Sequence, residues 1–73
     1  VKEDVLHQFG RRMRVLRKRM KLTQEQLANR AHISLKYVQS LEGKNPQNPS
    51  LEVLRDIADG LEMSLSKLLK FEK

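Results

Sequence analysis

The chain contains no cysteine, so no disulfide can staple it. Its two histidines, His7 and His32, stand too far apart to outline a zinc framework. Glycine (3), proline (2) and aromatic residues (4%) are all scarce, which argues against a β-rich fold and against disorder of the Gly/Pro type. No apolar run approaches the roughly 18 residues of a membrane span. No signal-peptide pattern is present. The chain begins with Val1 rather than Met, as is expected of a fragment. At 73 residues it is expected to form a single domain over 1–73. A chain of that size buries a modest core, with a stability on the order of a few kcal/mol. Helix packing or a partner subunit must then stabilise it.

What is abundant is positive charge. Lys and Arg total 15 against 9 Asp and Glu, a formal net charge of +6. Such a surplus favours a polyanionic partner, either nucleic acid or an acidic membrane surface. The surplus is local. Arg11, Arg12, Arg14, Arg17, Lys18, Arg19 and Lys21 fall in one stretch, and no acid lies between Val5 and Gln24. From Lys44 onward five basic residues meet five acidic ones, so that half is neutral scaffold.

The apolar residues recur at helical spacing. Val5, Phe9, Met13, Leu16 and Met20 predict a helix over residues 4–21, with Glu3 and Asp4 at its start and Lys18, Arg19 and Lys21 at its end, as the helix dipole favours. Val15 is counted with its inward set. Gly10 inside this helix costs about 1 kcal/mol relative to Ala, which points to close packing. Thr23 reads as an N-cap with Gln26 completing a capping box, so a second helix is predicted over 24–31 with Leu27, Ala28 and Ala31 inward. After a short break at His32–Ile33, Ser34 caps a third over 35–42, with Val38 and Leu41 inward and Gly43 as a left-handed stop. Lys44 to Pro49 is loop. Ser50 caps a fourth over 51–59, with Leu51, Leu54, Ile57 and Ala58 inward and Gly60 as its stop; Ser64 caps a fifth over 65–71. The expected class is all-α, five short helices in one domain.

The turn between Ala31 and Ser34 is too short to let its helices run side by side. It forces a steep crossing and leaves the second helix of the pair projecting. Such a helix is about 12 Å long and fits the major groove of B-DNA. Its outward residues are Leu35, Lys36, Tyr37, Gln39 and Ser40. Lys can donate to guanine, Gln pairs with adenine, and Leu and Tyr can meet thymine methyls or backbone.

From Met13 to Leu69 the chain resembles the Cro/CI-type helix-turn-helix domain of the Xre family, the lambda-repressor-like fold. Met13–Arg17, Leu22–Ala28, Val38–Glu42, Pro49–Leu54 and Ile57–Leu61 carry the resemblance as an ordered set. It implies base reading by Leu35, Lys36, Gln39 and Ser40, and phosphate contact by Thr23, Gln24, Lys44 and Asn45; from their positions alone, Tyr37 is split between packing on the scaffold and touching the groove, and Lys21 near the end of the first helix can reach phosphate. It also implies that Gln24 braces the recognition helix, and that Arg17 and Glu42 form a partly buried ion pair tying the first helix to the third. His32 and Lys21 stand where the family commonly has glycine, both positions tending to be left-handed, and Leu35 where several phage repressors carry glutamine. The loop over 43–48 differs by about one residue in length from common members.

The function expected is a transcriptional regulator of bacterial or phage type, cytoplasmic, occupying an operator on double-stranded DNA as a homodimer and blocking or contacting RNA polymerase. One small module reads few base pairs, so half-sites roughly 34 Å apart are expected. Leu65, Leu69 and Phe71 exceed what a small core needs; a dimer contact and closure of the core are equal readings for them. Arg11, Arg12, Arg14, Lys18 and Arg19 read as long-range field and solubility, His32 as a turn residue, and His7 gains no role from its sequence neighbours. Met13, Met20 and Met63 are core fillers. No nucleophile–base pair, Gly-rich phosphate loop or metal cluster appears, so neither an enzyme nor a cofactor is expected. The competing functions are a protein-interaction module on the same scaffold, such as an antitoxin or co-regulator, and, less favoured, a membrane-surface helix.

Overall fold

Each helix opens on a side chain that accepts from its own first turn. Asp4 caps α1 (Val5–Arg19), Thr23 caps α2 (Gln24–Ala31), Ser34 caps α3 (Leu35–Leu41), Ser50 caps α4 (Leu51–Gly60) and Ser64 caps α5 (Leu65–Leu68). At Thr23 the capping box is complete, with Gln26 returning a bond to the Thr23 N–H. The computed structural model describes residues 4–71, so Glu3 and the ends of the expected 1–73 domain lie outside the described residues. No strand occurs among them.

Three helix ends share one device. The Leu22 and Lys21 amides return to the carbonyls of Arg17 and Lys18; Ile33 and His32 return to Ala28 and Asn29; Met63 and Glu62 return to Ala58 and Asp59. Each is a Schellman motif. In each the residue in the left-handed region is not glycine: Lys21, His32 and Glu62 have φ of 59°, 58° and 59°. The apolar residue that follows, Leu22, Ile33 or Met63, folds back onto the core. The expected left-handed positions at Lys21 and His32 are thus observed. The expected glycine stops are not. Gly60 is the last helical residue of α4, and no glycine has positive φ. Gly43 follows the C-cap Glu42 and lies close to the Gln39 carbonyl, so it is there for proximity rather than handedness.

The core gathers one stripe from every helix: Phe9, Met13 and Leu16 of α1, Leu27, Ala28 and Ala31 of α2, Val38 and Leu41 of α3, Ile57 and Ala58 of α4, and Leu68 of α5. α2 lies at the centre, packed on α3 and α4, while α5 packs on α4 and α1 on α3. Gly10 explains the last contact. A Cβ there would collide with the Leu41 carbonyl, so α1 approaches the α3 backbone at a distance only glycine permits.

Some apolar residues lie elsewhere than their spacing suggests. Val15 is 46% exposed, because it sits about 200° around the helix from Met13. Val5 and Leu51 are also exposed, each being the first residue of its helix. α5 is one turn rather than a helix to 71; Leu69 is its C-cap.

Candidate nucleic-acid interface

The polar centre of the structure is the Arg17–Glu42 pair. Arg17 Nε donates to Glu42 Oε2 and Nη2 to Oε1, both at 2.9 Å. The two side chains are 9% and 2% exposed. The third guanidinium nitrogen, Nη1, donates to the Leu22 carbonyl at 2.8 Å. Gln24 Nε2 donates to Glu42 Oε1 at 3.1 Å. One carboxylate at the end of α3 is therefore shared by α1 and by the first residue of α2. A two-pronged Arg–carboxylate pair fixes orientation as well as distance. Here it holds α3 at a set angle to both neighbours.

That frame exposes one face of α3. Val38 and Leu41 are buried, whereas Leu35, Lys36 and Gln39 are exposed and Ser40 half-exposed. Tyr37 differs from the other expected base readers: it is half-buried and packs against the core. Lys21 and Thr23 are exposed at the turn before α2, and Gln24 is half-buried by its bond to Glu42. Lys44 and Asn45 are exposed in the loop after α3. The expected base-reading and phosphate residues thus lie on α3, on the start of α2 and on the flanking loop.

The proposed dimer set does not form one patch. Leu65 lines an apolar groove with Leu51, Glu52 and Arg55 on the outer side of α4. Phe71 lies against α1 beside Val15 and Arg12 and packs on the core. Leu69 is exposed.

Three roles were not legible in the sequence. Arg12 is more than part of the field: its Nη2 donates to the Lys67 carbonyl at 2.9 Å and its Nε to that of Leu68 at 3.4 Å, closing the end of α5. Arg30 Nη1 does the same for α4, donating to the Gly60 carbonyl at 3.0 Å. Both put a cation at the C-terminal carbonyls of a helix, where the dipole favours it. His7 bridges α1 to the α3–α4 loop, with Nε2 2.7 Å from the Lys44 carbonyl and Nδ1 3.1 Å from Asp4 Oδ1. Its partner is 37 residues away in sequence, so no local pattern could have found it. The His7 amide also donates to Asp4 Oδ1; that bond first, then the one from the ring, holds the Asp4 carboxyl below the usual carboxylate range.

The described residues include no group of three or more His, Cys, Asp or Glu able to hold a metal, and no helix among them is long and apolar enough to cross a membrane.

The profile of a helix-turn-helix domain family matches residues 8–70. The chain belongs to that family. The Cro/CI-type resemblance read from the sequence is borne out. The chain is 38% identical over 60 residues to the immunity repressor protein of Bacillus phage phi105, a match covering 82% of this chain and 41% of that protein. It thus spans about two-fifths of the length of that relative. Among solved structures it is similar to the restriction–modification controller protein C.AhdI from Aeromonas hydrophila, at 33% identity and a TM-score of 0.81, covering 86% of this chain and 94% of that one. It is also similar to C.Esp1396I bound to a 19 base pair DNA duplex, at 26% identity and a TM-score of 0.81, covering 92% of each chain. The five-helix, all-α architecture is common to this helix-turn-helix chain and its structural relatives.

Proposed function

We propose that this domain binds a specific sequence of double-stranded DNA and regulates transcription from it. α3 is the recognition helix. Lys36 and Gln39 read base edges in the major groove, Leu35 and Ser40 add contacts there, and Tyr37 acts mainly by bracing the helix. Thr23, Gln24, Lys21, Lys44 and Asn45 meet phosphates and fix the register. The observation that carries this reading is the exposed polar face of α3 held rigid by the buried Arg17–Glu42–Gln24 network. The phage repressor and the controller solved on a DNA duplex support it.

The reading includes a homodimer on a two-fold operator, formed through the groove at Leu51 and Leu65. Glu52 and Arg55 in the same groove give opposite charges that a two-fold axis can pair. Occupying the operator then excludes RNA polymerase or recruits it. The test is selection from a random duplex pool at about 0.15 M salt. An enriched inverted repeat with half-sites about 10–11 base pairs apart is the expected result. Binding without enrichment that vanishes as salt rises would overturn the reading and direct attention to a protein partner, as for an antitoxin or co-regulator.

A further inference from the structure

The loop after α3 has no regular structure over residues 43–49, yet it carries Lys44 and Asn45. What positions it is a side chain from α1. His7 Nε2 lies 2.7 Å from the Lys44 carbonyl oxygen, and Nδ1 lies 3.1 Å from Asp4 Oδ1. A carbonyl oxygen accepts, so Nε2 carries a hydrogen. A carboxylate also accepts, so Nδ1 makes a favourable contact only when it carries one too. The neutral ring with hydrogen on Nε2 keeps the loop bond but turns a lone pair toward Asp4. The protonated ring donates to both.

We propose that His7 is a positioning residue for DNA binding: its protonated ring bridges Asp4 and the Lys44 carbonyl, and so presets the loop that carries Lys44 and Asn45 to phosphate. This rests on the DNA-binding reading above. Loss of the proton as pH rises breaks the bridge at its Asp4 end. The ring is then held less firmly, and the tether on the loop weakens. Among the described residues, five charged groups stand around His7. Asp4 is in contact with it, and Arg11 and Arg14 of α1, Glu42 at the end of α3 and Lys44 of the loop line the same cleft of about 370 Å³. The cations there oppose protonation, but across open solvent, where charges are screened. Glu42 is already bound by Arg17. The two acceptors in direct contact favour the protonated ring. An ordinary histidine titrates near pH 6.5, so the device works in the physiological range.

The effect expected on binding is small, because His7 and Asp4 are partly solvated. At constant ionic strength, the full chain should bind its duplex about threefold more tightly at about pH 6 than at about pH 8. The test variant must keep a donor to the loop and leave the rest of the chain unchanged. His7→Gln does so, and its amide can donate to the Lys44 carbonyl without titrating. That variant should show a smaller pH response than the wild type. An equal response in the two proteins overturns the proposal and leaves the DNA-binding reading intact. A second measurement needs no DNA. In the free protein, the Lys44 and Asn45 amide resonances should follow the His7 ring through its titration. Amides that ignore the ring overturn the clamp itself. If neither protein binds duplex at either pH, the DNA-binding reading fails and takes the functional half of the proposal with it. If Lys44→Ala binds as the wild type does, the loop is not a phosphate contact and the functional half fails alone.

Discussion

The carbonyl of Leu41 occupies the space where a side chain on Gly10 would begin. Two helices far apart in sequence meet there backbone to backbone, and the obstacle is a carbonyl, not a side chain that could swing away. In an unobstructed helix, Gly→Ala gains about 1 kcal/mol. Here the sign reverses. Gly10→Ala should lower stability by about 1–3 kcal/mol, because α1 must move off α3 and the Arg17–Glu42 contact behind it is disturbed. Thermal unfolding measures this directly, and a rise in Tm would contradict the close approach.

The same interface carries a charged pair out of solvent. Glu42→Ala leaves the Arg17 guanidinium buried with one carbonyl for company and releases Gln24. A loss of roughly 3–5 kcal/mol is expected, a large share of the total for a domain of this size. Replacing both residues by apolar ones, as in Arg17→Met with Glu42→Leu, should cost far less than either single loss. Denaturant titration of the two singles and the double gives the coupling. Additive losses would mean the pair acts as two independent surface groups.

The architecture could be read from the sequence because local rules agree with the fold. Thr23, Ser34, Ser50 and Ser64 announce four helix starts, and each is a cap in the structure. Leu27, Val38, Leu41 and Ile57 at helical spacing announce the core. Helix ends were harder. A glycine near a helix end suggests a left-handed stop, but here Lys21, His32 and Glu62 take that conformation while Gly43 and Gly60 serve close approach. Periodicity also cannot tell an apolar residue over the core from one at a helix tip, which is why Leu51 and Val5 point outward. Within the candidate site, α3 and its brace were legible as a family pattern. The arginine contacts to helix carbonyls and the reach of His7 to Lys44 were not, because they join residues 30 to 56 positions apart through tertiary packing alone.

The left-handed lysine at the end of α1 links stability to binding. A non-glycine residue at that φ costs on the order of 1 kcal/mol. Lys21→Gly should therefore raise Tm by about 4–8 °C. If Lys21 meets a phosphate, the same variant should bind DNA more weakly at every sequence and lower the salt slope by about one unit. A more stable protein with an unchanged slope would remove Lys21 from the interface.

The groove on α4 gives a separate test of assembly. Leu51 is 68% exposed and stands outside the core, so Leu51→Lys should leave the melting temperature of the dilute chain nearly unchanged. If two copies meet there, the variant should be monomeric by sedimentation where the parent is dimeric, and its binding to a two-half-site duplex should lose cooperativity. Identical sedimentation of both proteins would move the dimer contact elsewhere.

On α3, reading and bracing should separate. Lys36 and Gln39 are exposed on the free face, so truncating either removes no packing. Lys36→Ala and Gln39→Ala should each cost about 1–3 kcal/mol on the preferred site and relax selection at particular base pairs. Gln24 stands at the start of α2, tied to Glu42 rather than facing the groove floor. Gln24→Ala should weaken all sequences alike, with a small loss of stability from the lost bond to the carboxylate. The comparison is made by measuring each variant on the selected site and on every single-base change of it. A uniform loss for Gln39→Ala would make it a backbone contact and shift base reading toward Lys36 and Leu35. A base-selective loss for Gln24→Ala would mean that its free carbonyl end reaches into the groove.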